Sequence, residues 1–372
     1  MADVPAEHQH LQLALDLHRV IGADGGNACF SPYSVASALG MTHQAARGST
    51  AEELQAVLNP GAGDIAKQVD LLRDAAVLPT GHGDEDPVLA VSNTLWAWDK
   101  LPLNDGFTTD LSGWPGAKVA TAPFVTDPEA ARQAINADVA ETTRDLITDL
   151  VPEGAVDTST VASLVNALYL KVGWREPFAE DSTAEEPFAT PGGPRPVPMM
   201  RQVERLGYAT AAGWVAVGLP AVGGVQAVAL LPGGDLADAE SGVDAEVVSA
   251  LLHQLRPRRV ALQLPRLKLG MNVRLTDVLR TLGVRELFTP SADLGGLSDD
   301  PRLSVSDALH EAVLKVDEQG LEGAAATAMM IRMTSIVVEE PVEVRLDRPF
   351  LLLVRHPGSG AVYFLARVAD PA

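Results

Sequence analysis

The chain has 372 residues, 47% of them hydrophobic and 21% charged, which suits a folded protein with an extensive core and excludes a disordered or low-complexity array. Asp and Glu number 49 against 28 Lys and Arg, a formal charge of -21; a field of that sign repels phosphate backbones, anionic lipid and heparin-like polyanions, so no nucleic-acid, membrane or heparin partner is expected. The single cysteine, Cys29, excludes an intramolecular disulfide and reads as a buried structural thiol in the apolar-flanked run NACFSP.

The first residues, MADVPAEHQHLQLALDLHRV, carry neither a basic n-region nor an apolar h-region. No apolar run reaches membrane-spanning length. The expected compartment is the cytoplasm, with an extracellular one left open.

In chain order, the first third reads as mainly helical. Leu11, Ala14, Leu15 and His18 recur at helical spacing, and Ser31-Pro32 opens a second helix through Val35, Leu39 and Met41. Ser49-Thr50 ahead of Glu52-Glu53 and Leu54 reads as another capped start. PTGHGDEDP (79–87) reads as a surface loop, and its His and acids lack metal-ligand spacing. Val88 to Trp98 reads as a strand. A helix is expected over Pro128–Leu150, with Ala134, Ile135, Val139 and Leu146 on its apolar face. Val161 to Val172 is a near-continuous apolar run interrupted by Asn166, a strand buried on both faces.

Beyond Trp174 the chain is strand-rich: PVPMMRQV, GWVAVGLP, VQAVALLP and RRVALQLPRLKL are divided by Gly- and Pro-containing turns. Short helices are expected around Ala245–Leu255 and Arg274–Leu282, the second ending at Gly283. PFLLLVRH and AVYFLARV form a hairpin signal. Helices early and strands late, without βαβ alternation, give an α+β class. With no Pro/Ser-rich linker, residues 1–372 are read as one domain.

Val316 to Ser335, VDEQGLEGAAATAMMIRMTS, admits two local structures. Ala favours a helix. In an extended chain, however, Leu321, Gly323, Ala325, Thr327, Met329, Ile331 and Met333 share one uncharged face, small at its start. No GxSxG elbow, HExxH, CxxC or P-loop is present, and no Ser/His arrangement suggests a triad, so neither an enzyme nor a metal or cofactor site is expected.

Ten segments in order resemble the serpin family over nearly the whole chain. NACFSPYSVASALGMTHQAARGSTAEEL is similar to its early helix block through Asn27, Ser31-Pro32, Ser34, Gly48, Thr50 and Glu52. VSNTLWAW, LVNALYLKVGWREPF, PVPMMRQ, ALLPGG, LQLPRLKL, LGVRELFTPSADLGGLS, LHEAVLKVDEQGLEGAAAT, RPFLLLVRH and YFLARVADP follow in the family's order. Departures are INADVAETTRDLI, which lacks the family's Trp and Gly-Lys, Leu321 where Thr or Ser is usual, and Gly323 in place of Ala.

The resemblance implies a serpin fold of the bacterial, single-domain inhibitory type: helices, three β-sheets with a large central one, and an exposed reactive-centre loop at about 318–343. It implies a monomer that traps a serine protease by inserting its cleaved loop into the central sheet; a non-inhibitory carrier or structural serpin is the alternative. The family's spacing from Glu318 puts the reactive bond at Thr334–Ser335, with Met333 or Arg332 as other positions before the cut. Thr or Met there implies a chymotrypsin-, elastase- or subtilisin-like target, and Arg a trypsin-like one. The hinge would comprise Glu318, Gly320, Leu321, Gly323, Ala324, Ala325, Ala326 and Thr327. Ser34, Asn166 and His310 would form the polar cluster beneath the parting strands (the shutter). Trp174, Arg266 and Glu318 would hold the point where insertion begins (the breach).

Overall fold

The computed structural model describes residues 4–59, 64–79, 87–104, 106–107, 111, 114–300, 303–321 and 340–371. Residues 80–86, where the sequence led to a loop being expected over 79–87, and residues 322–339 lie outside them. The latter hold Gly323, Ala324, Ala325, Ala326, Thr327, Arg332, Met333, Thr334 and Ser335.

Helix α1 (Ala6–Ile21) buries Leu11, Ala14, Leu15 and His18 on its inner side. A short strand, β1 (Ala28–Phe30), leads into α2 (Pro32–Ala45). Ser31 caps α2 by accepting the Ser34 N–H at 3.1 Å, with Pro32 in the first helical position. Gly40 is required in this buried helix, because a Cβ there would run into the Trp114 indole. Next, α3 (Gly48–Leu58) differs from its expected start at Ser49-Thr50. It begins at Gly48 with no side-chain cap, and the Thr50 hydroxyl instead accepts the Asp293 N–H at 3.0 Å. Asp64 caps α4 (Ile65–Ala76).

Strands β2 (Val88–Trp98) and β3 (Ala117–Ala122) precede α5 (Pro128–Thr143). That helix stops well short of the expected Leu150. Arg144 and Asp145 turn it at φ 51 and 60, and the Asn136 amide clasps the returning chain through both Val151 backbone groups at 2.9 and 3.0 Å. Leu146 and Ile147 keep the helical apolar spacing, yet they pack inward from the loop. Strand β4 (Ala162–Gly173) follows as the apolar run requires.

The remaining chain supplies β5 (Ala184–Thr190), β6 (Gly193–Ala211), β7 (Trp214–Pro220), β8 (Gln226–Pro232), the one-turn α6 (Leu236–Glu240) and α7 (Ala245–Gln254). After β9 (Arg256–Pro265) and β10 (Leu267–Arg274), α8 (Leu275–Leu282) ends at Gly283, whose φ of 114 suits glycine alone. Last come β11 (Val305–Val316), β12 (Gly320–Leu321), β13 (Val342–Arg345) and the hairpin of β14 (Phe350–Arg355) and β15 (Val362–Val368).

Six strands form a mixed sheet in the order β10-β11-β12-β4-β2-β3, and nine form another in the order β1-β15-β14-β8-β7-β6-β9-β13 with β5 on β6. This is the expected α+β architecture with one difference in connectivity. The 19-residue β6 hydrogen-bonds to β5 and β9 early and to β7 late, joining two of the three expected sheets into one ladder.

The six-stranded sheet is covered on both faces, which explains why β4 lacks a polar alternation. Val165 and Ala167 join Ile135 and Val139 of α5 in one core cluster. Leu164, Leu168 and Leu170 point the other way into the main core, against the α1–α4 block and the nine-stranded sheet. Asn166 shares that second face by the two-residue period.

Candidate functional site: a seam in the six-stranded sheet

Strands β4 and β11 pair directly and in parallel from Ala162 to Leu168 and Val305 to Ala312. Above that stretch they separate, and β12 lies between them, Leu321 opposite Val172 on one side and Val316 on the other. The line between β4 and β11 is therefore zipped at one end and already admits two residues of a further strand at the other.

The zipped part carries a row of polar side chains. Asn93 of β2 lies in register with Asn166 of β4, which lies in register with His310 of β11. All three are buried, and Asn166 and His310 reach the N-terminus of α2, while the Asn93 amide donates to the Pro115 carbonyl at 3.0 Å. The Asn166 amide donates to the Ser34 carbonyl at 2.8 Å and to the Asn93 side-chain oxygen. Its own oxygen meets His310 Nδ1 at 2.5 Å. On the other side of the ring, the Ser31 N–H donates to His310 Nε2 at 3.0 Å.

These contacts fix the imidazole chemically. Nε2 receives a proton donor, so it must offer its lone pair, and the ring proton resides on Nδ1, donating to Asn166. Burial pushes the imidazole down to about 4. Protonation would set an Nε2–H against the Ser31 N–H, so the cluster requires the neutral ring. An amide among apolar residues offsets its desolvation cost only if bonded, and both halves of Asn166 are.

The structure brings Asn166 and His310 together as the resemblance implied, but it alters the part taken by Ser34. Its carbonyl accepts from Asn166, while its hydroxyl is buried without a hydrogen bond among the described residues. Ser31 and Asn93 complete the cluster and were missed from sequence. Asn93 is the one amide in VSNTLWAW, but only the β2–β4 register shows that it faces Asn166.

At the open end, Asp317 to Gly320 form a tight turn into β12. The Asp317 carboxylate accepts the Gln319 and Gly320 N–H groups at 2.9 and 3.1 Å. Trp174, 2% exposed, donates its indole N–H to the Asp317 carbonyl at 2.9 Å and its backbone N–H to the Gln319 carbonyl at 2.8 Å. It is thus a two-point fastening of the turn as well as packing.

Glu318 is 3% exposed, and both of its carboxylate oxygens accept from Arg266 Nε, at 2.9 and 2.8 Å, with Thr183 donating as well. Burial works against its charge, but the hydrogen bonds from Arg266 and Thr183 outweigh it and hold the carboxyl below its ordinary range. Gly320 sits so close to the Val172 carbonyl oxygen that any Cβ would collide. Leu321 is fully buried, so this bulky departure fits the space between β4 and β11.

Cys29 is buried and its thiol is pushed up to about 12 by burial, consistent with an inert structural residue. Among the described residues no cluster of His, Cys, Asp and Glu could hold a metal ion, and no helix is long and apolar enough to cross a membrane.

The mixed sheet thus has one seam, part zipped and part occupied by β12. A family model described as serpin (serine protease inhibitor) matches residues 8–371, and the chain belongs to the serpin family. It is 33% identical over 379 residues to an alpha-1-antitrypsin-like protein of Tamias sibiricus, covering 99% of this chain and 90% of that one. It is 32% identical to the leukocyte elastase inhibitor of Bos taurus, covering 93% of each. Among solved structures, uncleaved ovalbumin superposes with a TM-score of 0.84 at 25% identity, covering 99% of this chain and 100% of that one.

Proposed function

We propose that the protein inhibits serine proteases as a suicide substrate. The protease's serine attacks a carbonyl in the segment between Leu321 and Val342, forming an acyl-enzyme ester and releasing the downstream amine. The freed segment then extends β12 down the seam between β4 and β11 before water reaches the ester. Carried along, the protease loses its working geometry.

The observation that supports this reading is the placement of Gly320–Leu321, hydrogen-bonded between β11 and β4 at the open end of the seam. Insertion needs only to continue a pairing already begun. The uncharged alternating face of Leu321, Gly323, Ala325 and Thr327 suits a buried strand. The Asn166–His310 bond is the point that must yield as β4 and β11 part. We take Thr334–Ser335 as the bond cut, which directs the inhibitor to chymotrypsin-, elastase- or subtilisin-like enzymes. Cleavage after Arg332 would direct it to trypsin-like ones.

Incubation with chymotrypsin, elastase, subtilisin and trypsin tests the proposal. The expected result is an SDS-stable covalent band and a released fragment whose N-terminal residue is Ser335. Clean cleavage by all four without any stable complex contradicts it.

A further inference from the structure

We propose that Glu311 is a positioning residue for strand insertion, its charge setting how firmly the chain between α5 and β4 is held across the seam. This rests on the inhibitor reading above and deepens it by naming a side chain that divides the acyl-enzyme between trapping and hydrolysis.

Helix α5 lies on β2, β3 and β4, where Asp138 ties it to Ser92 of β2 at 3.2 Å and to Lys118 of β3 at 2.5 Å. The chain that follows it, residues 144–161, reaches further. Ile147, Leu150 and Val151 are buried in one cluster with Val165 and Ala167 of β4 and Leu309 of β11. The Leu150 carbonyl then accepts from Asn272 of β10 at 3.2 Å, so this strap is anchored on both sides of the seam. It crosses on the face opposite Asn166 and His310, and parting β4 from β11 pulls its anchorages away from each other.

Glu311 sits under that crossing. Ala167, Glu311 and Asn272 are level across β4, β11 and β10, one residue along from Asn166 and His310. Alternation turns Glu311 toward the strap, between Leu309 and Val313, where it is half-buried. The Asn272 nitrogen that bonds Leu150 also donates to Glu311 Oε2 at 3.3 Å. Asp149 of the strap brings a second carboxylate, itself held by Asn136 at 3.0 Å and Arg132 at 3.1 Å. The neighbouring cations have other partners: Arg274 of β10 faces Asp307 at 3.9 Å, and Arg144 lies over the Tyr169 ring. Burial, and after it the charge of Asp149, hold the Glu311 carboxyl above its ordinary range against the opposing bond from Asn272.

An ionised Glu311 works against the strap in two ways. It repels Asp149, and as a charged acceptor it competes with the Leu150 carbonyl for the Asn272 amide. A neutral side chain exerts no repulsion and leaves more of the amide to Leu150. Near neutral pH the strap is therefore held loosely, which favours an inserting segment that must outrun water at the ester.

Glu311→Gln keeps the size of the side chain and removes its charge. With chymotrypsin near neutral pH it should lower the ratio of SDS-stable complex to cleaved product about threefold, since a tighter strap delays insertion while deacylation proceeds. Asn272→Ala, which releases Leu150, should shift the ratio the other way. The thermal midpoint gives a readout that needs no protease. Because the carboxyl is raised in the folded chain, the cost of its charge is absent below 4.5 and appears as pH rises through the folded value. Glu311→Gln should thus melt above wild type near neutral pH, and the two should converge as pH falls below 4.5. A role in packing alone would shift the midpoint equally at every pH. An unchanged complex ratio in Glu311→Gln, or a midpoint difference independent of pH, would overturn the proposal. Failure of the wild type itself to form a complex would contradict the inhibitor reading instead, and the midpoints would still decide the effect of Glu311 on the strap.

Discussion

Asn166 on β4 and His310 on β11 face one another in register across the seam and share a hydrogen bond of 2.5 Å between Oδ1 and Nδ1. The bond joins two strands that must separate if a further strand is to enter. Its donor is an imidazole that has to stay neutral, so the seam is tied to proton concentration.

Stability should therefore fall as pH drops from about 6.5 to about 4. Burial depresses the folded-state pKa of His310, and also of His10, from 6.5 to about 4, so the unfolded chain takes up protons first over that window. Each histidine accounts for at most about 3 kcal/mol. The stabilisation is complete above pH 6.5. Thermal midpoints across pH 4–7 should show a smaller acid loss in His310→Gln than in wild type, and an unchanged slope would contradict a His310 that stays neutral in the folded chain.

Removing Arg266 should destabilise the open end of the seam. Arg266→Ala strands the Glu318 carboxylate in a buried position, at a cost of about 1–3 kcal/mol. Glu318→Gln in the same background should recover part of the loss, because no buried charge then remains. Urea unfolding of the two single variants and the double variant measures this coupling.

Gly320→Ala should detach β12 from β4. The new Cβ meets the Val172 carbonyl oxygen, a backbone atom that cannot swing aside. The expected signature is faster amide exchange at Val172 and Leu321, with β4–β11 pairing below Leu168 retained.

Some of this was legible in the sequence and some was not, for physical reasons. Asn166 stood out because an amide in an apolar strand needs partners, and Glu318 because a conspicuous cation, Arg266, lay in a matching segment. Asn93 and Ser31 act through register and through a backbone N–H, neither of which side-chain pattern encodes. Ser34 illustrates the same limit from the other side, since its carbonyl, not its hydroxyl, does the bonding. The end of α5 was hidden because Leu146 and Ile147 keep helical spacing while packing from a loop. The fusion of two sheets was hidden in β6, whose length spans two pairing partners.

The central claim is that the segment after Leu321 becomes a strand between β4 and β11. Its most direct measurement is the thermal midpoint before and after a single cut in residues 322–339 by a metalloprotease, which forms no acyl-enzyme. The account predicts a cleaved protein that melts far above the intact one, and predicts that Leu321→Arg, which would bury an unpaired charge, largely abolishes the gain. A cleaved wild-type chain that melts at or below the intact chain would contradict it.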